Sequence, residues 1–140
     1  SVPGGINFNN LDGEQGYTPF TFYGQTKLAN LLMSNELSRR LEGSNTTANA
    51  VHPGIIMTPL MRNLGSVRAA LSKVVSLPFG RSVQQGAATQ CYVASAPALE
   101  GVSGYYFANC NPAIKSIHGK NPKLASRLWD VSEKLTANYL

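Results

Sequence analysis

Thr46-Thr47-Ala48-Asn49-Ala50-Val51, followed at once by His52-Pro53-Gly54, reads as a β-strand with an abrupt end. Proline cannot donate to a ladder, and glycine lets the backbone turn sharply or come close to a ligand. On the N-terminal side, Leu28, Leu31, Leu32, Leu37 and Leu41 recur at helical spacing. Thr18 can cap that helix, Pro19 suits its first turn, and Gly43 can close it in the left-handed conformation. Residues 1–17 are rich in Gly, Asn and Asp and read as loop. On the C-terminal side, Met57 to Phe79 is basic and amphipathic. Ser82 caps a further predicted helix running through Ala87, Ala88, Cys91 and Val93 to Pro97. Ser103 to Ala108 reads as a second strand, and Asn121-Pro122 opens a helix whose Leu124, Leu128, Val131 and Leu135 share one apolar face.

Helix, strand, helix, helix, strand, helix is an α/β alternation with a mostly parallel sheet. Two strands cannot make a stable parallel sheet, which is normally buried on both faces and holds several strands. The fold expected is therefore the C-terminal half of a doubly wound, Rossmann-type parallel sheet, with residues 1–140 forming one structural unit. The missing N-terminal half, or a partner chain, is needed to complete it. The start without methionine agrees with a chain that begins inside a longer protein.

Composition narrows the function classes. Of 140 residues, 43% are apolar and 14% charged, which predicts a packed core. No apolar run reaches the ~18 residues of a membrane span, and no signal-peptide pattern stands at the start. The net charge of +5 sits mostly in the second half, notably at Lys115, Lys120, Lys123 and Arg127, without interleaved aromatics or a reading motif. No nucleic-acid partner is expected. Cys91 and Cys110 lie far apart with no CxxC, so neither a disulfide scaffold nor a metal site is expected, and Cys91 reads as a reduced core residue. His52 and His118 are isolated and read as strand-end and loop residues.

Tyr23-Gly24-Gln25-Thr26-Lys27 places a phenol and an ammonium on one helical face. A cation beside a phenol favours the phenolate, and such a pair can give a proton to a carbonyl oxygen or take one from an alcohol. Ligands of open α/β sheets bind outside the carboxyl ends of strands, which is where Pro53-Gly54 would lie, with Thr58 adding a hydroxyl. Taken alone, each motif also fits a plain amphipathic helix and a plain strand-ending turn.

Together these residues resemble the short-chain dehydrogenase/reductase family. Tyr23-Gly-Gln-Thr-Lys27-Leu-Ala-Asn-Leu-Leu is similar to its active-site helix and Asn49-Ala-Val-His-Pro-Gly54 to its nicotinamide-facing strand and turn. Ile6-Asn-Phe-Asn-Asn-Leu11, Gln85-Gly86-Ala87 and Arg127-Leu-Trp-Asp130 are similar to the retinol-dehydrogenase-like branch, with its protochlorophyllide-reductase relatives. The resemblance covers essentially the whole chain. It implies an oxidoreductase passing a hydride between NADP(H), or NAD(H), and a small lipophilic carbonyl or alcohol. By resemblance Tyr23 is the acid/base, and Lys27 holds the nicotinamide ribose hydroxyls. Pro53, Gly54 and Ile56 line the nicotinamide, and Thr58 reaches its carboxamide or the phosphates. The segment 57–79 becomes a substrate lid, and the basic stretch 61–81 a candidate contact with a membrane surface. The glycine-rich phosphate loop of the family is absent, as is its Asn-Ala-Gly strand motif. By the resemblance the catalytic serine stands about 25 residues before the tyrosine; Ser1, 22 before Tyr23, reads as a loop residue just past it, with Ser1 itself as the alternative. The chain alone is thus expected to be inactive. The alternative is a non-catalytic subunit that keeps half of a reductase fold. No compartment is fixed; an intracellular place, with an organelle membrane surface as one candidate, is the expectation.

Overall fold

A computed structural model describes residues 5–56 and 80–139. Helix α1 spans Pro19–Arg40, α2 Val83–Ser95 and α3 Pro122–Thr136. Strands are β1 Ala50–His52, β2 Ile55–Ile56, β3 Gly80–Arg81, β4 Tyr106–Ala108 and β5 Asn111–Pro112. The described residues fall into two compact units, one of 5–50, 101–106 and 113–139, the other of 51–56, 80–100 and 107–112.

The helix boundaries follow from end chemistry. Pro19 pre-sets the first turn of α1, and Thr18 sits extended before it, but its side chain makes no capping bond. The helix closes at Arg40, and Gly43 takes the left-handed conformation two residues past the C-cap Leu41. Ser82 caps α2 in a reciprocal box with Gln85, and the Asn121 side chain accepts from Leu124 N to cap α3.

The strands are shorter than the sequence pattern predicts. β1 begins at Ala50, not Thr46, because side chains take over the backbone groups ahead of it. Ala48 N donates to Ser103 Oγ (3.0 Å), Asn49 Nδ2 to Val102 O (2.7 Å), and Tyr105 N to Asn49 Oδ1 (2.9 Å). Gly104, at φ +78°, interrupts the extended run that was expected to start at Ser103. The two segments still advance in the same direction, with Gly104 N donating to Ala48 O and Ala50 N to Tyr105 O. Strand order is β1-β4-β5, and β2 pairs with β3 in parallel. The sheet is not uniformly parallel, since β4 and β5 form an antiparallel hairpin. Its turn residues Asn109 and Cys110 have φ of 56° and 57°, the mirror-image turn that suits strand twist. Two-residue strands such as β2, β3 and β5 carry no periodicity for a sequence reading to detect.

In the first unit α1 packs on α3. Ile6, Leu28, Leu32, Ala125 and Leu128 form the buried cluster, flanked by Phe8, Ala29, Met33 and Leu124. The apolar face of α3 ends early, leaving Leu135 64% exposed. At the C-terminal end of α1, Glu36 is buried and gripped by two arginines. Arg39 donates to it from Nε (3.0 Å) and Nη2 (2.6 Å), and Arg40 from Nε (2.9 Å). Arg40 also stacks on Trp129 of α3, its guanidinium 4.5 Å from the ring centroid. The Arg39 hydrogen bonds, opposed by burial and helped by Arg40, hold the Glu36 carboxyl below the usual carboxylate range.

In the second unit Phe107 and Thr89 are fully enclosed. Gly86 lies against Ile56 so closely that a Cβ would collide with the isoleucine side chain. Since α2 turns Gly86 and Thr89 inward, Cys91 falls on its opposite face; it is an exposed free thiol, not a core residue. No described helix is long and apolar enough to cross a membrane.

Leu32→Ala, which empties a fully buried position, is expected to lower unfolding free energy by about 2–5 kcal/mol in urea titration. Because the Glu36 carboxyl sits low in the folded state, its contribution is present above the ordinary carboxylate range and lost as pH falls below it, down through the lowered folded value. Glu36→Gln should therefore flatten the acid side of the stability–pH curve measured by thermal melts.

Candidate active site

Helix α1 divides its labour between two faces. Leu28 and Leu32 point into the core, which leaves Tyr23 and Lys27 on the outer side, with Tyr23 60% exposed. Lys27 Nζ lies 5.4 Å from the centroid of the Tyr23 ring. Lys27 has no carboxylate partner among the described residues. The ammonium is therefore available to hydroxyl acceptors.

The loop ahead of α1 is fastened to that helix. Asn7 N donates to Gln25 Oε1 (2.6 Å), which at i+2 from Tyr23 leaves the helix on a different face from the pair. Buried Asn10 clamps the loop, donating to Gly16 O (2.9 Å) and accepting from Gln15 N (3.0 Å). These contacts give a physical role to the Ile6–Leu11 motif. A cavity of about 570 Å³ in the same unit is lined by Gly24, Lys27 and Leu31 of α1 and by Tyr106, Ile114, Ser116 and His118. Burial pushes the Tyr106 phenol up, keeping it protonated. His118, an isolated residue in the sequence, is thus a wall of the cavity that Lys27 enters. Ninety-one positions separate the two, so no spacing could have paired them.

Pro53, Gly54 and Ile56 belong to the second unit. Gly54 has φ +87°, and its N donates to His52 Nδ1 (2.8 Å), making a tight turn at the end of β1. The Arg81 side chain of β3 lies where a Gly54 Cβ would be, and Gly86 abuts Ile56 from α2. Arg81, which the sequence reading passed over, is therefore the packing partner of this turn. Thr58 and the lid segment 57–79 lie outside the described residues, as do Ser1 and most of 61–81. The structure thus brings Tyr23 to Lys27 in one unit and Pro53, Gly54 and Ile56 together in the other.

Gly54→Ala should cost about 1–2 kcal/mol from the left-handed backbone alone, with a further loss as Arg81 is displaced. A lowered urea midpoint at unchanged slope is the expected result.

No protein-family model matches the chain. Relatives are nevertheless clear. The chain is 48% identical over 133 residues to the chloroplastic short-chain dehydrogenase TIC 32 B of Brassica napus, a match spanning 94% of this chain and 41% of that protein. Human retinol dehydrogenase 14 is 42% identical over 132 residues, 93% of this chain and 39% of its own. The WW domain-containing oxidoreductase of Gallus gallus is 40% identical over 139 residues, 98% of this chain and 33% of its own. The crystal structure of an uncharacterised protein from Mycobacterium paratuberculosis superposes with a TM-score of 0.68 at 30% identity, over 94% of this chain and 45% of that one. The chain spans less than half the length of these relatives and matches their C-terminal part. The mixed α/β architecture with a parallel strand pair is that of the C-terminal half of a Rossmann fold. The relatives are short-chain dehydrogenases and retinol dehydrogenases, and this chain corresponds to the C-terminal part of that short-chain dehydrogenase/reductase family.

Proposed function

We propose that this sequence is the acid–base half of an NAD(P)-dependent reductase domain that interconverts a carbonyl and an alcohol, with NADP(H) preferred and a lipophilic substrate. The observation that carries the reading is the Tyr23–Lys27 pair, an exposed phenol 5.4 Å below an ammonium that no carboxylate holds among the described residues. Its donor set suits a dinucleotide ribose, since a lysine ammonium offers three N–H groups to hydroxyl oxygens and a phenol both gives and accepts. Lys27 would hold those hydroxyls, and Pro53, Gly54, Ile56 and Thr58 would border the nicotinamide. When bound, the nicotinamide supplies the hydride to a carbonyl carbon or accepts it from an alcohol.

Tyr23 handles the proton. In reduction its O–H donates to the carbonyl oxygen as negative charge develops there, and in oxidation the phenolate takes the alcohol proton. Lys27 stabilises that phenolate by its charge. The half-length match to the relatives supports a division of labour, with phosphate binding and the catalytic serine supplied by sequence ahead of residue 1. The lipophilic preference rests on the apolar residues of 57–79, Leu64, Val67, Leu71, Val74 and Val75 among them, read as a lid.

In the complete polypeptide, Tyr23→Phe should lower turnover by about 10²–10⁴-fold, the usual worth of a positioned acid/base, while NADPH still quenches protein fluorescence. Undiminished turnover overturns the assignment. Absence of NADPH binding by the wild-type protein instead favours the non-catalytic subunit.

A further inference from the structure

Away from the Tyr23–Lys27 pair, the first unit holds a second ammonium in an unusual setting. Lys115 is half-buried, and its Nζ donates to Asn35 Oδ1 of α1 and to Gly104 O (2.6 Å). Both acceptors are neutral, and Lys115 makes no ion pair among the described residues. Burial holds the amine below the usual lysine range. Asn35 is fixed in turn, its Nδ2 donating to Gly119 O (2.7 Å), so it cannot swing away from the lysine without losing both bonds. Glu36, its neighbour in sequence, is committed to Arg39 and Arg40.

An ammonium has three N–H groups, and two are taken. Lys115 borders a cavity of about 280 Å³ that Asn35, Gly104, Lys120, Asn121 and Pro122 complete. Among the described residues no acidic side chain lines it, while Lys120 brings a second ammonium. Asn121 spends its Oδ1 on Leu124 N (3.1 Å), which leaves its amide N–H groups for an acceptor. The positive end of the α3 dipole adds to the same field. Two cations, one of them partly desolvated, and a set of N–H donors face a space with no compensating charge among the described residues.

We propose that this cavity binds the phosphate group of a phosphomonoester, whether on a soluble molecule or on a lipid headgroup. A multi-oxygen dianion satisfies both ammoniums at once, through the short charge-assisted bonds that such oxygens accept. The proposal is independent of the Tyr23 reading and stands if that reading fails.

Thermal unfolding of the intact protein in inorganic phosphate, against sodium chloride at equal ionic strength, tests it. A saturable rise in Tm specific to phosphate is expected. Lys120→Met removes one exposed ammonium and should weaken the apparent phosphate affinity roughly tenfold or more while leaving Tm in chloride unchanged. Asn35→Asp places a carboxylate against Lys115 and should abolish the phosphate response in a folded protein. Equal Tm in the two salts, or variants that respond like wild type, overturns the site. Flotation with phosphatidylcholine vesicles, with and without phosphatidic acid, separates the sources. Binding that needs phosphatidic acid and Lys120 assigns the phosphate to a lipid, whereas a phosphate response without flotation assigns it to a soluble ligand.

Discussion

Everything described in the first unit hangs on the seam between α1 and α3. Leu28 and Leu32 meet Ala125 and Leu128 there, with Ile6 closing one end. Burying side chains of this size contributes roughly 1.5–3 kcal/mol each, which makes the seam the largest apolar contribution to that unit. Because a helix has two faces, fixing the inner one fixes the outer one. With Leu28 and Leu32 held inside, Tyr23 and Lys27 are held outside, and the pair owes its geometry to packing it does not share.

Polar contacts complete what the seam begins. The grip of Arg39 and Arg40 on buried Glu36 closes the far end of α1, and Arg40 carries the connection to Trp129 of α3. Around β1, side chains of Asn49 and Ser103 do the work of a ladder that the strands are too short to supply. Gln25 fastens the leading loop to α1, and Asn10 clamps that loop on itself.

On the exposed side of α1, Lys27 Nζ lies over the Tyr23 ring. The two lysine environments contrast instructively. Lys27 is exposed over the Tyr23 ring, and no carboxylate among the described residues holds it. Lys115 is half-buried against neutral oxygens and borders a pocket that no acidic side chain lines among the described residues.

By itself the sequence determined what local chemistry dictates. The three helices, the caps at Ser82 and Asn121 and the turn at Pro53-Gly54 follow from residue types a few positions apart. The Tyr23–Lys27 pair follows from the 3.6-residue period, and its motifs already carried the likeness to the family. Tertiary structure decided whatever depends on residues distant in the chain. The side chains of Asn49 and Ser103 and the turn at Gly104 shortened both expected strands, β4 and β5 closed an antiparallel hairpin, and the inward faces of Gly86 and Thr89 put Cys91 outside. His118 reached the cavity of Lys27, Arg81 packed on Gly54, and Asn35 met Lys115 across 80 positions. Such contacts arise only when helices and loops pack, because side-chain partners that far apart leave no period or spacing along the chain.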